Sequence, residues 1–171
     1  MSYIQDYPLA TSLPRIQSPD KLPIGVLELA SLVDPTTGRD KLYVLVKQQR
    51  YLSILNSYQA GPNNEYFCDQ FDFPLKILSW FPRALEEFRK PPAEGGLHAG
   101  GMVSKDMNVD GEMLAVGRTT DGYDLTNRSR SDHDSSAYEP MCISFSSEFL
   151  YDLGFLALWK NLGAKFELGE I

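Results

Sequence analysis

An internal repeat limits the possible folds of this chain more than any other feature of its sequence. When the sequence is shifted by 72 residues, Phe71 and Phe73 align with Ile143 and Phe145. Six apolar positions follow Phe73 at helical spacing, and five of their six counterparts in the second half are also apolar. Two strand-like segments precede this unit in the same order in both halves. The sequence therefore predicts two copies of a block in which several strands lead into one helix.

This duplication predicts an α+β protein with two antiparallel sheets, each backed by one helix. A helix with a single apolar stripe can cover only one face of a sheet. We therefore expect the other face of each sheet to be open to solvent. Open antiparallel sheets that carry aromatic and cationic side chains can bind single-stranded nucleic acid, because every base has a ring face to stack.

Composition changes along the chain predict four segments. Prolines punctuate residues 1–23, which we expect to form an extended N-terminal arm. Residues 24–90 form the first strand-and-helix repeat, and residues 102–171 form the second. The intervening residues 91–101 are rich in proline and glycine and are interpreted as a linker.

Three local expectations concern the ends of the predicted elements. Pro82 interrupts the helical pattern of the first repeat, which predicts either a kink or a helix that begins near this residue. In the second repeat, Ser146 is a good N-cap for a helix that runs to about Leu162, with Gly163 as its stop. The polar residues 127–137 predict a mobile loop.

The net charge of −7 comes entirely from the second half of the sequence. Residues 1–90 carry ten basic and ten acidic residues, whereas residues 91–171 carry six basic and thirteen acidic residues. This distribution excludes a broad basic face that could grip duplex phosphates. Any nucleic-acid site would have to be a local groove in which stacking supplies part of the affinity.

No catalytic motif is present, and the sequence predicts a protein that is not an enzyme and needs no cofactor or metal. Cys68 and Cys142 are interpreted as two small buried thiols. The segment Asp132–His133–Asp134 could supply a base or a metal ligand. Its low-complexity surroundings instead favour a solvated loop.

Other expectations concern location and assembly. The sequence has no apolar run near the ~20 residues of a membrane helix, and its N-terminus lacks a charged-then-apolar leader. We therefore expect a cytoplasmic protein with no membrane partner. Trp80 and Trp159 lie in the predicted helices, where they indicate core packing or contact with a second copy in a homodimer.

Residues 41–54, followed by the strand-and-helix unit of residues 71–88, resemble a PUR repeat, the repeat of the purine-rich-element-binding proteins. In such repeats a strand ends in a polar turn, continues as a second strand and leads to an amphipathic helix. The PUR fold is similar to that of the Whirly proteins and the PC4-type coactivators, which bind single strands. The resemblance extends over residues 24–90 and, more weakly, over 102–163. The turn here is shorter than in the family and lacks its extra basic residues.

The resemblance implies non-catalytic binding of single-stranded DNA or RNA in transcription, replication or RNA handling. It also implies two binding grooves, in which cations neutralise phosphates, glutamine bonds base edges and tyrosine stacks. The first groove would be lined by Lys47, Gln48, Gln49, Arg50 and Tyr51. The second groove would be lined by Arg118, Thr119 and Tyr123.

An alternative function remains open on the same sequence. The chain could be a protein-interaction module whose acidic second half binds a basic partner or mimics nucleic acid. The two functions differ in their dependence on Lys47 and Arg50, because only nucleic-acid binding would require these cations.

Overall fold

Each repeat folds as four antiparallel strands followed by a helical segment. The computed structural model describes residues 9–97 and 101–171, apart from the side chain of Met107. The first repeat contains β1 (Val26–Asp34), β2 (Lys41–Gln48), β3 (Tyr51–Ala60), β4 (Glu65–Pro74) and α1 (Ile77–Glu86). The second repeat contains β5 (Val103–Val109), β6 (Glu112–Arg118), β7 (Gly122–Ser131), β8 (Pro140–Ser146) and α2 (Phe155–Glu167). The strand order is sequential in both sheets, which confirms the predicted α+β class of two repeated sheet-and-helix units.

The two repeats share one hydrophobic core. The inner face of the first sheet contributes side chains such as Leu45 and Ile54, and that of the second contributes Leu125 and Phe145. Helix α1 reaches across to β5 and β6, while α2 lies against β1. At the centre, Phe155 of α2 stacks on Phe149 and packs beside Tyr43 of β2. The two predicted repeats therefore pack against each other, and each helix contacts strands of the other repeat. The boundaries of the four predicted segments remain a prediction.

The two helices approach closely where Gly163 of α2 lies against the Leu78 carbonyl of α1. Helix α1 continues through Pro82, which lacks the amide hydrogen that would bond the carbonyl of Leu78. That carbonyl faces Gly163 of α2, where an added Cβ would lie 2.4 Å from its oxygen. Gly163 is buried within α2 and does not end it, so the predicted helix stop is wrong. The glycine is needed for close approach of the helices.

The second helical segment is also not continuous from Ser146. Residues Glu148–Asp152 form a π-helical turn, and α2 begins only after Gly154. Gly154 has a φ of 92°, a left-handed conformation that breaks the helix. Ser146 still caps the first turn, because its Oγ accepts a hydrogen bond from the Phe149 amide at 3.0 Å.

No helix within the described ranges is long and apolar enough to cross a membrane.

The N-terminal arm covers the outer face of the first sheet. Ile16 is 1% exposed and packs on apolar residues of that face (Val44, Val46, Leu55 and Cys68). Its amide donates to Gln70 Oε1 at 2.7 Å, and Gln70 Nε2 donates to the Pro14 carbonyl at 3.1 Å. The expectation that each sheet leaves its outer face open is therefore wrong for the first sheet. The residues of the arm before Leu9 lie outside the described part of the chain.

The segment predicted to be a mobile loop is ordered by buried polar contacts. Strand β7 continues to Ser131, and the Asp132 amide donates to the Glu139 carbonyl at 2.7 Å. The His133 side chain is 8% exposed, and its Nε2 lies 2.7 Å from Oδ2 of the buried Asp72. The prediction of a solvated loop fails here because Asp72 of the first repeat offers His133 an acceptor.

Candidate nucleic-acid interface

The first predicted group lies at the turn between β2 and β3. Gln49 occupies this turn with a φ of 55° and is exposed, as is Arg50. The Arg50 guanidinium carbon lies 5.5 Å from the ring centre of Tyr51, and Arg50 Nε donates to the Tyr51 hydroxyl at 3.3 Å. Lys47 is half-buried at the end of β2. This hairpin therefore presents Arg50 at the surface beside the half-buried ring of Tyr51, whereas the strand register places Lys47 on the opposite face of the sheet.

Gln48 belongs to the interior of the same hairpin. Its side chain points to the outer face of the first sheet, the face that the arm covers. It is 8% exposed, and its Nε2 donates to Ser53 Oγ at 2.8 Å. Ser53 in turn donates to Asp72 at 2.6 Å. Gln48 is thus a member of a buried polar network that holds the outer face together.

Tyr51 is flanked by a second arginine, which comes from the other repeat. The guanidinium carbon of Arg130 lies 4.8 Å from the Tyr51 ring centre. Arg130 is 3% exposed and bonds Glu112 through Nε at 2.5 Å, and its Nη1 donates to the Thr11 carbonyl. Because Arg130 is already paired with Glu112, Arg50 is the guanidinium of this pair that is left at the surface.

The second predicted group lies at the β6–β7 turn and packs against Phe88, just after the end of α1. Arg118 Nη2 donates to the Phe88 carbonyl at 3.1 Å, and its guanidinium lies 5.1 Å from the Phe88 ring. Tyr123 is 8% exposed and meets the same ring edge-on at 5.2 Å. Thr119 Oγ1 accepts a hydrogen bond from the Gly122 amide. These three residues therefore have structural partners inside the protein.

The two predicted groups lie at opposite ends of the second sheet. Arg50 and Tyr51 share a cavity of about 390 Å³ with Glu112, at the start of β6. Arg118 is the last residue of that strand. Six residue steps at about 3.4 Å place the two ends roughly 20 Å apart. The structure does not bring the two groups together into one surface.

A further aromatic and cationic cluster lies at the other end of the first sheet, and sequence reasoning missed it. The rings of Tyr58 and Phe67 stack across β3 and β4, with centroids 5.5 Å apart and an angle of 21°. Arg39 and Lys41 lie over the Tyr58 ring at 5.9 and 5.5 Å. Tyr66, the neighbour of Phe67 on β4, lines a cavity together with Tyr58. We call these five residues the hairpin-tip cluster.

The hairpin-tip cluster is accessible to a ligand. Tyr66 is 50% exposed and Phe67 is 40% exposed, while Arg39 is also at the surface. Tyr58 is held in place because its hydroxyl donates to Asp69 Oδ2 at 3.1 Å. Burial and the nearby Asp69 carboxylate raise the pKa of the Tyr58 phenol, so it remains neutral. The cluster therefore offers accessible ring faces with two cations beside them.

One sequence signal could have indicated this cluster. Aromatic residues flank the Gly61–Asn64 turn on both strands, and directly opposed aromatics stabilise a hairpin. The cations come from the separate β1–β2 turn, some twenty residues earlier in the chain. Their approach to Tyr58 depends on the pairing of β2 with β3, which the local pattern does not specify.

Comparison with known proteins does not identify a family for this chain. No protein-family model and no curated protein matches the chain. Among solved structures, the chain is similar to one described as trypanosome MRP1/MRP2, with a TM-score of 0.43 and 17% identity. The match covers 86% of this chain and 98% of that one. At this score and identity the similarity supports neither a shared family nor a shared ligand.

Proposed function

We propose that this protein binds single-stranded nucleic acid without catalysis, and that the hairpin-tip cluster is its main contact. The observation that carries the proposal is the stacked pair of Tyr58 and Phe67 with Arg39 and Lys41 beside it. Exposed rings provide stacking faces for bases, and adjacent cations can neutralise phosphates. No sequence-specific recognition is required of such a surface.

The charge distribution supports a single strand over a duplex. With a net charge of −7, the protein lacks the extended basic face that duplex binding requires. A flexible single strand can contact a small cationic cluster without an extended basic face. Its unpaired bases are also free to stack, which a duplex does not allow.

The first predicted group provides a second contact in this proposal. Lys47 and Arg50 would hold phosphates, and Tyr51 would hold a base, at the opposite end of β3 from Tyr58. Gln49 is exposed at the same turn and could bond a base edge. We assign no direct contact to Gln48, Arg118, Thr119 or Tyr123, since each has a partner within the protein or is buried.

The proposal is tested by fluorescence anisotropy with labelled single strands of about 16 nucleotides, the upper end of the site size for one small binding fold. Loss of one stacking contact costs about 1–3 kcal/mol. We therefore expect Phe67→Ala to weaken binding roughly 5- to 140-fold. Arg39→Ala should weaken binding and reduce its salt dependence, because one phosphate contact is lost.

The matched control is Lys165→Ala, which removes one exposed cation from the far end of α2. It should leave the affinity unchanged. Lys47→Ala combined with Arg50→Ala tests the second contact in the same assay. If the unmodified protein binds no single strand at low salt, the proposal is wrong and the protein-interaction function is favoured.

A further inference from the structure

The stacked rings of the hairpin-tip cluster adjoin a buried amide whose oxygen lacks a partner. Asn56 lies on β3 two residues before Tyr58, so the two side chains lie on the same face of the first sheet. Asn56 is 7% exposed, and its Oδ1 is buried with no hydrogen bond to any described residue. Buried oxygens of this kind are normally satisfied, so this one points to a donor from outside the chain.

A second acceptor lies beside Asn56. Asp69 of β4 is directly opposite Asn56 in the strand register, just as Phe67 is opposite Tyr58. One oxygen of Asp69 accepts a hydrogen bond from the Tyr58 hydroxyl at 3.1 Å, and the carboxylate forms no ion pair within the described ranges. Asp69 is half-buried, so its carboxylate is both accessible and without a cation.

Other buried amides among the described residues have partners within the chain. Gln70 Oε1 accepts from the Ile16 amide, and Gln70 Nε2 donates to Asp72. Asn127 Nδ2 donates to Glu112, and Asn127 Oδ1 accepts from the Ser129 amide. These two amides hold the fold together. The oxygen of Asn56 has no such use, although it lies next to the exposed aromatic pair.

The arrangement of these two acceptors fits an amino group. A carboxylate and an amide oxygen only accept hydrogen bonds, and an amino group on a base has two N–H donors. The Cβ atoms of directly opposed residues lie about 4.5–5.5 Å apart. Two oxygens that each bond one hydrogen of the same amine at about 2.9 Å lie about 5 Å from each other. Asn56 and Asp69 can therefore share one amine.

The rings of the cluster lie within reach of a base whose amine is held in this way. Tyr58 and Phe67 are two residues along their strands from Asn56 and Asp69, a distance of about 7 Å. A metal ion fits less well, because no three acidic, histidine or cysteine side chains come together in residues 9–97 and 101–171. A flat ring with an amino edge matches both the stacking surface and the acceptors.

We infer that the hairpin-tip cluster prefers bases with an exocyclic amine, which are adenine, cytosine and guanine, over uracil and thymine. The inference rests on the proposed function, since it assigns a base preference to the same site. The base stacks on the pair of Tyr58 and Phe67, and its amine donates to Asn56 Oδ1 and to Asp69. Uracil and thymine carry a carbonyl oxygen where cytosine carries its amine, and that oxygen would face two acceptors without a hydrogen.

The inference is tested by fluorescence anisotropy with labelled oligodeoxycytidine and oligodeoxyuridine of about 16 nucleotides. The two rings have the same size, so the comparison isolates the amino edge from stacking. We expect cytosine to bind roughly fivefold or more tightly, the lower end of the discrimination given by a pair of hydrogen bonds to one base. Oligodeoxyadenosine should likewise bind more tightly than a strand of unsubstituted purine, which lacks the amine.

Asn56→Leu keeps the approximate size of the side chain and removes the acceptor. The variant should bind cytosine and uracil strands equally, and the free protein should be no less stable in urea, because an unsatisfied buried oxygen is lost. Asn63→Leu is the matched control, since it makes the same change at an exposed position of the β3–β4 turn. It should retain the preference for cytosine.

The outcomes separate this inference from the proposed function. If the unmodified protein binds cytosine and uracil strands equally, the base preference is wrong and nucleic-acid binding still stands. If it binds neither strand, the proposed function itself is wrong. If Asn56→Leu retains the preference, Oδ1 is satisfied by water and does not contact the base, which also overturns the inference. The comparisons made with the unmodified protein do not depend on the folding of any variant.

Discussion

Single side chains decide how closely the two repeats can approach each other. At the helix crossing, the carbonyl of Leu78 lacks an amide partner because residue 82 is proline. Gly163 approaches that carbonyl so closely that even a methyl group has no room. Arg130 also joins the two repeats. It bonds Glu112 and the Thr11 carbonyl, and its guanidinium lies over the Tyr51 ring.

Gly163→Ala should destabilise the protein by about 1–3 kcal/mol, the usual cost of inserting a group into a packed interior. The added Cβ would lie 2.4 Å from backbone that cannot rotate away, so the helices must separate. Urea denaturation measures the change in the free energy of unfolding. Gly117→Ala is the control, because a Cβ at that position meets nothing within 4 Å. Equal stabilities of the two variants would contradict the packing argument.

At the scale of the element, the described part of the N-terminal arm covers the first sheet and also contacts the second, where the Ala10 amide donates to the Ser129 carbonyl of β7 at 2.8 Å. It is held by one buried apolar side chain, Ile16, and by hydrogen bonds to Gln70 and the Cys68 carbonyl. A segment with few anchors opens more readily than the sheet beneath it. The outer face of that sheet depends on the arm for its cover.

Ile16→Ala should therefore cost about 2–5 kcal/mol, as for other buried aliphatic truncations. It should also speed tryptic cleavage at Arg15 and Lys21, because the arm leaves the sheet more often. Denaturation and limited proteolysis measure the two effects. Ile24→Ala makes the same chemical change at a fully exposed side chain of the adjoining segment, and it should alter neither quantity. If Ile16→Ala is as stable and resistant as the control, the arm is not anchored there.

Strands with apolar side chains could be predicted from the sequence, whereas strands lined by polar residues could not. Strands β2, β3 and β8 could be predicted because apolar side chains give them a clear pattern. Strand β5 and the end of β7 could not, because polar residues such as Ser129 and Arg130 line them. Those residues are buried in pairs with groups from distant strands, as in the Arg130–Glu112 contact. Local patterning cannot reveal a partner of that kind.

The candidate site was predictable to a similar extent. The Lys47–Tyr51 turn is continuous in sequence, and within it Gln49 and Arg50 are exposed while Lys47 and Tyr51 are half-buried. The hairpin-tip cluster draws on two separate hairpins, so only strand pairing brings Arg39 to Tyr58. Arg118 ends β6 and Tyr123 lies in β7, on either side of the turn that the sequence indicates, but their engagement with Phe88 of the other repeat could not be inferred.

At the scale of the whole molecule, the two halves form one cooperative unit. Their helices lie across each other's sheets, and aromatic residues of both repeats meet around Phe145. Neither half can expose its core without exposing that of the other. At the boundary between the repeats, Asp121, Asp124 and Glu148 of the second half line a cleft together with Asp34 of the first.

We expect a single unfolding transition. Fluorescence of the buried Trp159 and far-UV circular dichroism should give coincident urea curves, because the core and the sheets are lost together. A mutation in either repeat should shift both curves equally. A separate transition for each repeat, seen as two midpoints, would contradict the shared core.

The close approach of the helices depends on residues that differ between the two repeats. With the 72-residue shift, the counterpart of Gly163 in the first repeat is Pro91, and the counterpart of Pro82 in the second is Gly154. A molecule built from two identical first halves would have proline at the position of Gly163, where the helix backbones must nearly touch. Two copies of the same repeat could therefore not pack in this way, because each half fits only the other half.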